Sequence, residues 1–186
     1  MAEMEGDLEL YRRFLDGDTT SYDKLMLRYG DNLTCYLKGF LKSMEDAEDL
    51  MIEAFAVIMA KKPHIKDGNF KAYLFKVGHN LVSRHYKKSK RLDVFSLSDI
   101  DEEMPDGESF ESKILDDEKK KALHRCIGRL EPELREAIWL IYFEKMTYDS
   151  AADIMGIGNN KLHNNLKKAK NVLKQELEKE GIEDAY

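Results

Sequence analysis

Side chains that could do chemistry gather in three short stretches, and each is better arranged for binding than for making bonds. In the first, Asn159, Asn160, Lys161, His163, Asn164, Lys167 and Lys168 share an exposed face at helical spacing, and residues 154–175 carry five lysines and no acid. Amides can pair with base edges in the major groove while lysines hold phosphates, so this mixture suits duplex DNA. A tight helical hairpin with a solvated lysine face is the plainer alternative. In the second stretch, residues 70–91 contain Lys71, Lys76, Arg84, Lys87, Lys88, Lys90 and Arg91, again without an acid. Tyr73, Phe75, His79, His85 and Tyr86 are interleaved with them. Cations beside rings offer unpaired bases a stacking surface and a phosphate rail, although several of these rings are also needed for a core. In the third, Asp46, Asp49 and Glu53 recur at spacings of three and four, which puts them on one helix face. Leu50, Ala54 and Phe55 can pack inward behind them. An acidic ridge beside an apolar edge suits a basic, coiled-coil partner, while acids in a first turn also simply complement the helix dipole.

Catalysis finds no comparable support. Gly156-Ile157-Gly158 lacks the strand and third glycine of a dinucleotide site, and no phosphate-binding loop is present. The five histidines (His64, His79, His85, His124, His163) are scattered without metal-ligand spacing. No metal or other cofactor is expected. Cys35 and Cys126 read as reduced core thiols on apolar helix faces. No apolar run approaches the roughly 20 residues that cross a bilayer, and the start is acidic, so the expectation is a cytoplasmic chain without membrane insertion.

The elements that must position these residues are helical. Leu8, Tyr11 and Leu15 line a short helix, and Tyr22, Leu25, Met26, Tyr29, Leu33, Tyr36, Leu37, Phe40 and Leu41 continue at helical spacing. Ser43 with Asp46 forms a cap signal, and the stripe Ala47, Leu50, Met51, Ala54, Phe55 and Ile58 follows. Residues 63–68 break the pattern. Asn69 can then cap a helix whose inner face is Phe70, Tyr73, Leu74, Val77 and Leu81. Periodicity fades from residue 93 to 118 and resumes with Leu123, Cys126, Ile127 and Leu130. Pro132 opens a helix at the position proline favours, with Leu134, Ala137, Ile138, Ile141 and Tyr142 expected inside. Thr147 caps a short helix, Gly156 turns the chain, and a last helix runs from about residue 159 to 179. Ala152, Gly156 and Leu162 meet the demands of a helix-turn-helix: a small residue at the crossing, a turn at positive φ, and an aliphatic pin.

The expected fold is therefore all-α, with two small helical domains, 1–91 and 119–186, joined by an acidic linker, 92–118, and with the helix-turn-helix in the second. Charge follows the same division. Residues 8–91 carry 16 Lys/Arg against 11 Asp/Glu, residues 92–118 one lysine against 11 acids, and residues 119–186 13 against 11. The net charge of −6 thus says nothing against a nucleic-acid partner, because local patches decide that question.

The order of these features resembles the bacterial RNA polymerase sigma factors of the extracytoplasmic-function (ECF) type. Asp46-Ala47-Glu48-Asp49-Leu50, with Glu53 and Phe55, is similar to the helix by which that family grips the clamp helices of the polymerase. Asn69-Phe70-Lys71-Ala72-Tyr73-Leu74-Phe75-Lys76-Val77-Gly78-His79-Asn80-Leu81 resembles the helix that opens and reads the minus-ten element. Leu130-Glu131-Pro132, Arg135-Glu136, Thr147-Tyr148 and the helix-turn-helix resemble the reader of the minus-thirty-five element. The resemblance implies core-polymerase contacts at Asp46, Asp49, Leu50, Glu53 and Phe55. It implies minus-ten contacts at Lys66, Asn69, Lys71, Lys76, His79, Asn80, Arg84, Lys87 and Lys88. For the minus-thirty-five element it implies Asn159, Asn160, Lys161, His163, Asn164, Lys167 and Lys168. Core RNA polymerase and promoter DNA are the implied partners, with an anti-sigma factor as a further candidate. The sequence departs from the family at Ile52 (usually glutamine), Tyr73 (usually tryptophan), Arg84 and Ser150 (usually acids), and Asn164-Asn165 (usually Ser-Arg). A helix-turn-helix regulator working without polymerase and a sigma-like decoy that reads no promoter are the competing functions.

Overall fold

Short polar caps start four of the helices, and apolar stripes then decide how they pack. A computed structural model describes residues 5–65, 69–92 and 117–181, with side chains described for all but 88–92 and 117–121. The fold is all-α, with no strand among the described residues. The chain divides into two compact units, Met1–Ser98 and Asp99–Tyr186. Most of the acidic segment expected at 92–118 lies outside the described residues.

The first unit holds α1 (Asp7–Leu15), α2 (Thr19–Lys38), α3 (Met44–Lys61) and α4 (Phe70–Leu92). Asp18 caps α2, accepting from the Thr20 and Ser21 amides, and Ser43 caps α3, accepting from the Asp46 amide at 3.0 Å. Asn69 Oδ1 accepts the Ala72 amide at 3.0 Å and starts α4. Each cap satisfies a donor that the helix itself leaves unpaired. The core is an aromatic cluster: Tyr22 packs on Phe14 (ring centroids 4.4 Å), Phe55 (5.9 Å) and Phe70 (6.4 Å). Its hydroxyl donates to the Phe55 carbonyl at 2.6 Å, so the buried polar atom is satisfied. Burial disfavours the charged phenolate and raises the Tyr22 pKa. Gly78 lets α4 lie close on α2, because a Cβ there would come within 3.0 Å of Leu33 Cδ1.

Two details of the first unit differ from the sequence expectation. Tyr73 and Val77, expected on the inner face of α4, are only half-buried, because the face that packs is rotated toward Phe75 and Val82, which are buried. The inner face of α1 is Leu10, Tyr11 and Phe14, while Leu8 and Leu15 are exposed. Leucine at both edges of the stripe made two rotations of the same short helix look alike.

The second unit holds α5 (Asp117–Gly128), α6 (Pro132–Ile138), a π-helical turn (Trp139–Phe143), α7 (Tyr148–Met155) and α8 (Asn159–Lys179). The π turn is the main departure from expectation. Its wider backbone, closed by Glu144 N–H to the Trp139 carbonyl at 3.0 Å, adds a residue to the turn and shifts the helical phase. Leu140 and Glu144 are buried as a result, whereas Ile141 is half-buried and Tyr142 exposed. Trp139 stacks on Phe143 (4.7 Å, 10° between planes) along that turn. In α5, Leu123 is likewise exposed and Ala122 buried in its place.

Thr147 Oγ1 accepts the Ser150 amide at 3.2 Å and starts α7. Gly156 ends it at φ +65°, where an L side chain would be strained. The Ile157 amide donates to the Ala152 carbonyl at 3.0 Å and the Gly156 amide to Asp153 at 3.2 Å, which is the paired bonding of a Schellman cap. Ala151, Ala152, Leu162 and Leu166 are buried where α7 meets α8. The helix-turn-helix is present with the residues that the spacing singled out.

Candidate functional site

In α3, Asp49 and Glu53 are exposed and Asp46 half-buried, all on one side of the helix. Leu50 and Phe55, implied as contact residues alongside them, are core instead: 8% and 1% exposed. Phe55 packs on Tyr22 and Phe70. Its place in the motif is therefore to hold the ridge on the domain. The outer surface of α3 carries exposed apolar groups that the motif did not imply: Met44, Ile52 (54% exposed) and Met59. Ile52 next to Asp49 and Glu53 makes the ridge apolar as well as acidic. Its only signal in the sequence was a departure from the usual glutamine.

In α4, at 100° per residue, Asn69, Tyr73, Lys76, Asn80 and Lys87 fall in one outer stripe; Asn69, Asn80 and Lys87 are exposed, Tyr73 and Lys76 half-buried. Lys71 lies off this stripe, its Nζ 5.8 Å from the Tyr29 ring centroid and 5.9 Å from that of Phe75. His79, half-buried, sits at the opposite margin. Of the interleaved rings, Phe75 is fully buried, and Tyr86 is exposed with its hydroxyl donating to the Phe40 carbonyl. Tyr73 is the ring that the stripe itself offers. Arg84 is exposed on the wall of a small hollow of about 220 Å³ lined also by Leu50, Glu53, Leu81 and His85. The hollow brings a residue from each of two predicted sites, Glu53 and Arg84, to one seam between α3 and α4. Lys66 lies outside the described residues, as does the side chain of Lys88.

The chain leaving α3 is anchored to α1 by two contacts. Lys62 ends α3 in the left-handed region (φ 45°), with its Nζ 5.2 Å from the Phe14 ring. The Tyr11 hydroxyl donates to the Pro63 carbonyl at 2.8 Å. Burial pushes the Tyr11 pKa up to about 12, so this donor keeps its proton throughout the physiological range. Lys62 and Pro63 are thus tied to α1.

In α8, the buried row Leu162, Leu166, Ala169, Leu173 and Leu177 leaves Asn160, Asn164 and Lys167 on the opposite, exposed face. The other implied readers have partners within the domain. Asn159 Nδ2 donates to Asp149 at 2.6 Å. Lys161 pairs with Glu133 (3.1 Å) and Lys168 with Glu131 (2.9 Å). His163 rests against the Tyr148 ring at 5.8 Å. Asn165, beside Asn164, is half-buried, and its amide nitrogen is buried without a protein partner. At the far end of the helix, Arg125 of α5 and Arg129 just beyond it pair with Glu180 (2.9 and 3.0 Å). Hydrogen bonding to Arg125 holds the Glu180 carboxyl below its usual range, so this clasp between α5 and the end of α8 stays ionised at neutral pH.

Among the described residues no His/Cys/Asp/Glu group could hold a metal ion, and no helix is long and apolar enough to cross a membrane.

Comparison with known proteins gives the same division. Residues 25–92 match sigma-70 region 2, and residues 120–173 match sigma-70 region 4. The RNA polymerase sigma-H factor of Pseudomonas aeruginosa is 27% identical over 164 residues, covering 83% of this chain and 85% of that protein. The ECF RNA polymerase sigma factor BldN of Streptomyces coelicolor is 26% identical over 152 residues, 80% of this chain and 57% of BldN. In fold, the chain is similar to the sigma factor RpoE of Bartonella quintana, solved with the anti-sigma factor NepR. The TM-score is 0.64 at 24% identity, covering 84% of this chain and 96% of that one.

Proposed function

Because this chain belongs to the sigma-70 family, as an ECF-type RNA polymerase sigma factor that directs promoter recognition, we propose that its two units divide the work as their surfaces suggest. Residues 1–91 grip core polymerase through Asp46, Asp49 and Glu53, with Ile52 as an apolar contact. The same unit presents Asn69, Tyr73, Lys76, Asn80 and Lys87 to separated minus-ten strands. Residues 119–186 read the minus-thirty-five element with Asn160, Asn164 and Lys167, and residues 92–118 join the two as an acidic linker. Sigma-70 proteins are initiation factors rather than enzymes, and RNA synthesis stays with the core. The chain acts in the cytoplasm, where polymerase is, and an anti-sigma factor is its candidate regulator, as for the Bartonella relative.

The observation that carries this reading is the pairing of an acidic ridge on α3 with a basic stripe, bearing the half-buried ring of Tyr73, on the next helix of the same small domain. A helix-turn-helix repressor has no use for either. Asn80 is exposed in the middle of that stripe, so Asn80→Ala should reduce strand opening while core binding stays intact. Permanganate footprinting of holoenzyme on promoter DNA reads unpaired thymines directly. Equal reactivity in wild type and variant would remove Asn80 from the opening surface.

A further inference from the structure

The reading that α8 meets duplex DNA is the basis here, and the partners of its lysines extend it. Lys161 Nζ lies 3.1 Å from a Glu133 oxygen, and Lys168 Nζ 2.9 Å from Glu131. Both acids sit at the start of α6, Glu131 at its N-cap and Glu133 in its first turn. The dipole favours carboxylates at that end of a helix. All four side chains are more than half exposed, at 53% and 61% in one pair and 58% and 68% in the other. Such pairs add little to folding stability. Their consequence lies in what the lysines are free to bind. Asn160, Asn164 and Lys167, by contrast, face outward.

We propose that Glu131 and Glu133 set the non-specific affinity of the upstream reader: they compete with DNA phosphates for Lys161 and Lys168. Phosphate contacts give affinity without sequence information, and base-edge contacts give discrimination. Removing two phosphate contacts therefore lowers binding to every duplex alike. The outward amides Asn160 and Asn164 then carry a larger share of what binding remains. The acids act through the lysines and need not touch DNA.

The test is the salt dependence of binding by the full chain to a mixed-sequence duplex. Each phosphate neutralised contributes about −0.9 to the slope of log K against log salt. Glu131→Gln with Glu133→Gln should steepen the slope by up to about 1.8, which amounts to at most about 60-fold tighter binding at 0.1 M salt relative to 1 M. Adding Lys161→Ala and Lys168→Ala in that background should abolish the gain. The same lysine changes in the wild-type background should alter the slope by less than about 0.5. Helix content by circular dichroism confirms that each variant is folded. Lys167→Ala serves as the control for the underlying reading, with an expected loss of about 0.9 in slope. If Lys167→Ala flattens the slope but the glutamine variant matches wild type, Glu131 and Glu133 withhold nothing and the proposal falls alone. If Lys167→Ala changes nothing either, α8 is not on the DNA, and the assignment of the upstream reader falls with it.

Discussion

Reversing the charge of the α3 ridge is the perturbation whose size follows most directly from the structure. Asp49 and Glu53 are exposed, so a pairing with a basic partner surface at the rim of an interface would take place in a water-like dielectric. At about 5 Å and a dielectric of about 80, one pair is worth about 0.8 kcal/mol. Asp49→Lys with Glu53→Lys turns two attractions into two repulsions, about 3.3 kcal/mol before screening. A screening length of about 8 Å at physiological salt leaves a little over half of that. The expected loss is therefore about 2 kcal/mol, or roughly 30-fold in core affinity. The assay is a titration of labelled chain with core polymerase at physiological salt and again at about 1 M, where the difference should shrink because the screening length falls to about 3 Å. Neither substitution touches the core, so circular dichroism and thermal unfolding should match wild type. Unchanged affinity in a folded double variant would refute the assignment of this ridge to the polymerase. Phe55→Ala supplies the contrast. Its ring is buried among Tyr22 and Phe70, and its removal should cost about 3–5 kcal/mol of stability.

Other outcomes follow from single contacts. Gly78→Ala places a Cβ 3.0 Å from Leu33 Cδ1 and 3.3 Å from Leu37 Cδ2; the overpacking should cost about 1–3 kcal/mol in denaturant unfolding. Asp18 accepts from the Thr20, Ser21 and Arg13 side chains, which hold its carboxyl well below the usual range. A depressed folded pKa adds stability that is complete above the unfolded value, near ~3.9, and is lost as pH falls below it. Asp18→Asn should therefore lose less stability than wild type between pH 7 and pH 3 in thermal unfolding. Asn165→Arg adds a guanidinium at the position where the family usually has one, but on the half-buried flank of α8, a helical turn from Lys161 and near one from Lys168. Duplex binding should tighten by less than about tenfold at 0.1 M salt, and a larger gain would show that this flank faces DNA freely.

Much of the fold was legible because its signals are local. Ser43, Asn69, Thr147, Pro132 and Gly156 each act within a few residues of where they stand, and each does in the structure what its chemistry favours. The π turn at Trp139–Phe143 was not legible. A run of large apolar residues fits either helical phase, and only packing selects Leu140 over Ile141 and Tyr142 for the core. The candidate site shows the same limit. Helical periodicity put Lys161 and Lys168 on an exposed face, where they are, but their acids lie 28 and 37 residues away in sequence. No spacing rule within one helix could have joined them. Leu50 and Phe55 belong to the same motif as Asp49 and Glu53, and the motif alone does not say which of its members touch a partner and which hold the helix down.

The central claim is that this chain turns core polymerase into a promoter-specific enzyme, and transcription reconstituted with core enzyme and a pool of the host's genomic fragments measures it most directly. Sequencing the 5′ ends of the transcripts should reveal starts that core alone does not make. Those starts should share one element near minus ten and a second near minus thirty-five, and the Asp49→Lys, Glu53→Lys variant should need roughly 30-fold more protein to produce them. Starts without shared elements, or no transcripts above core alone, would contradict the account.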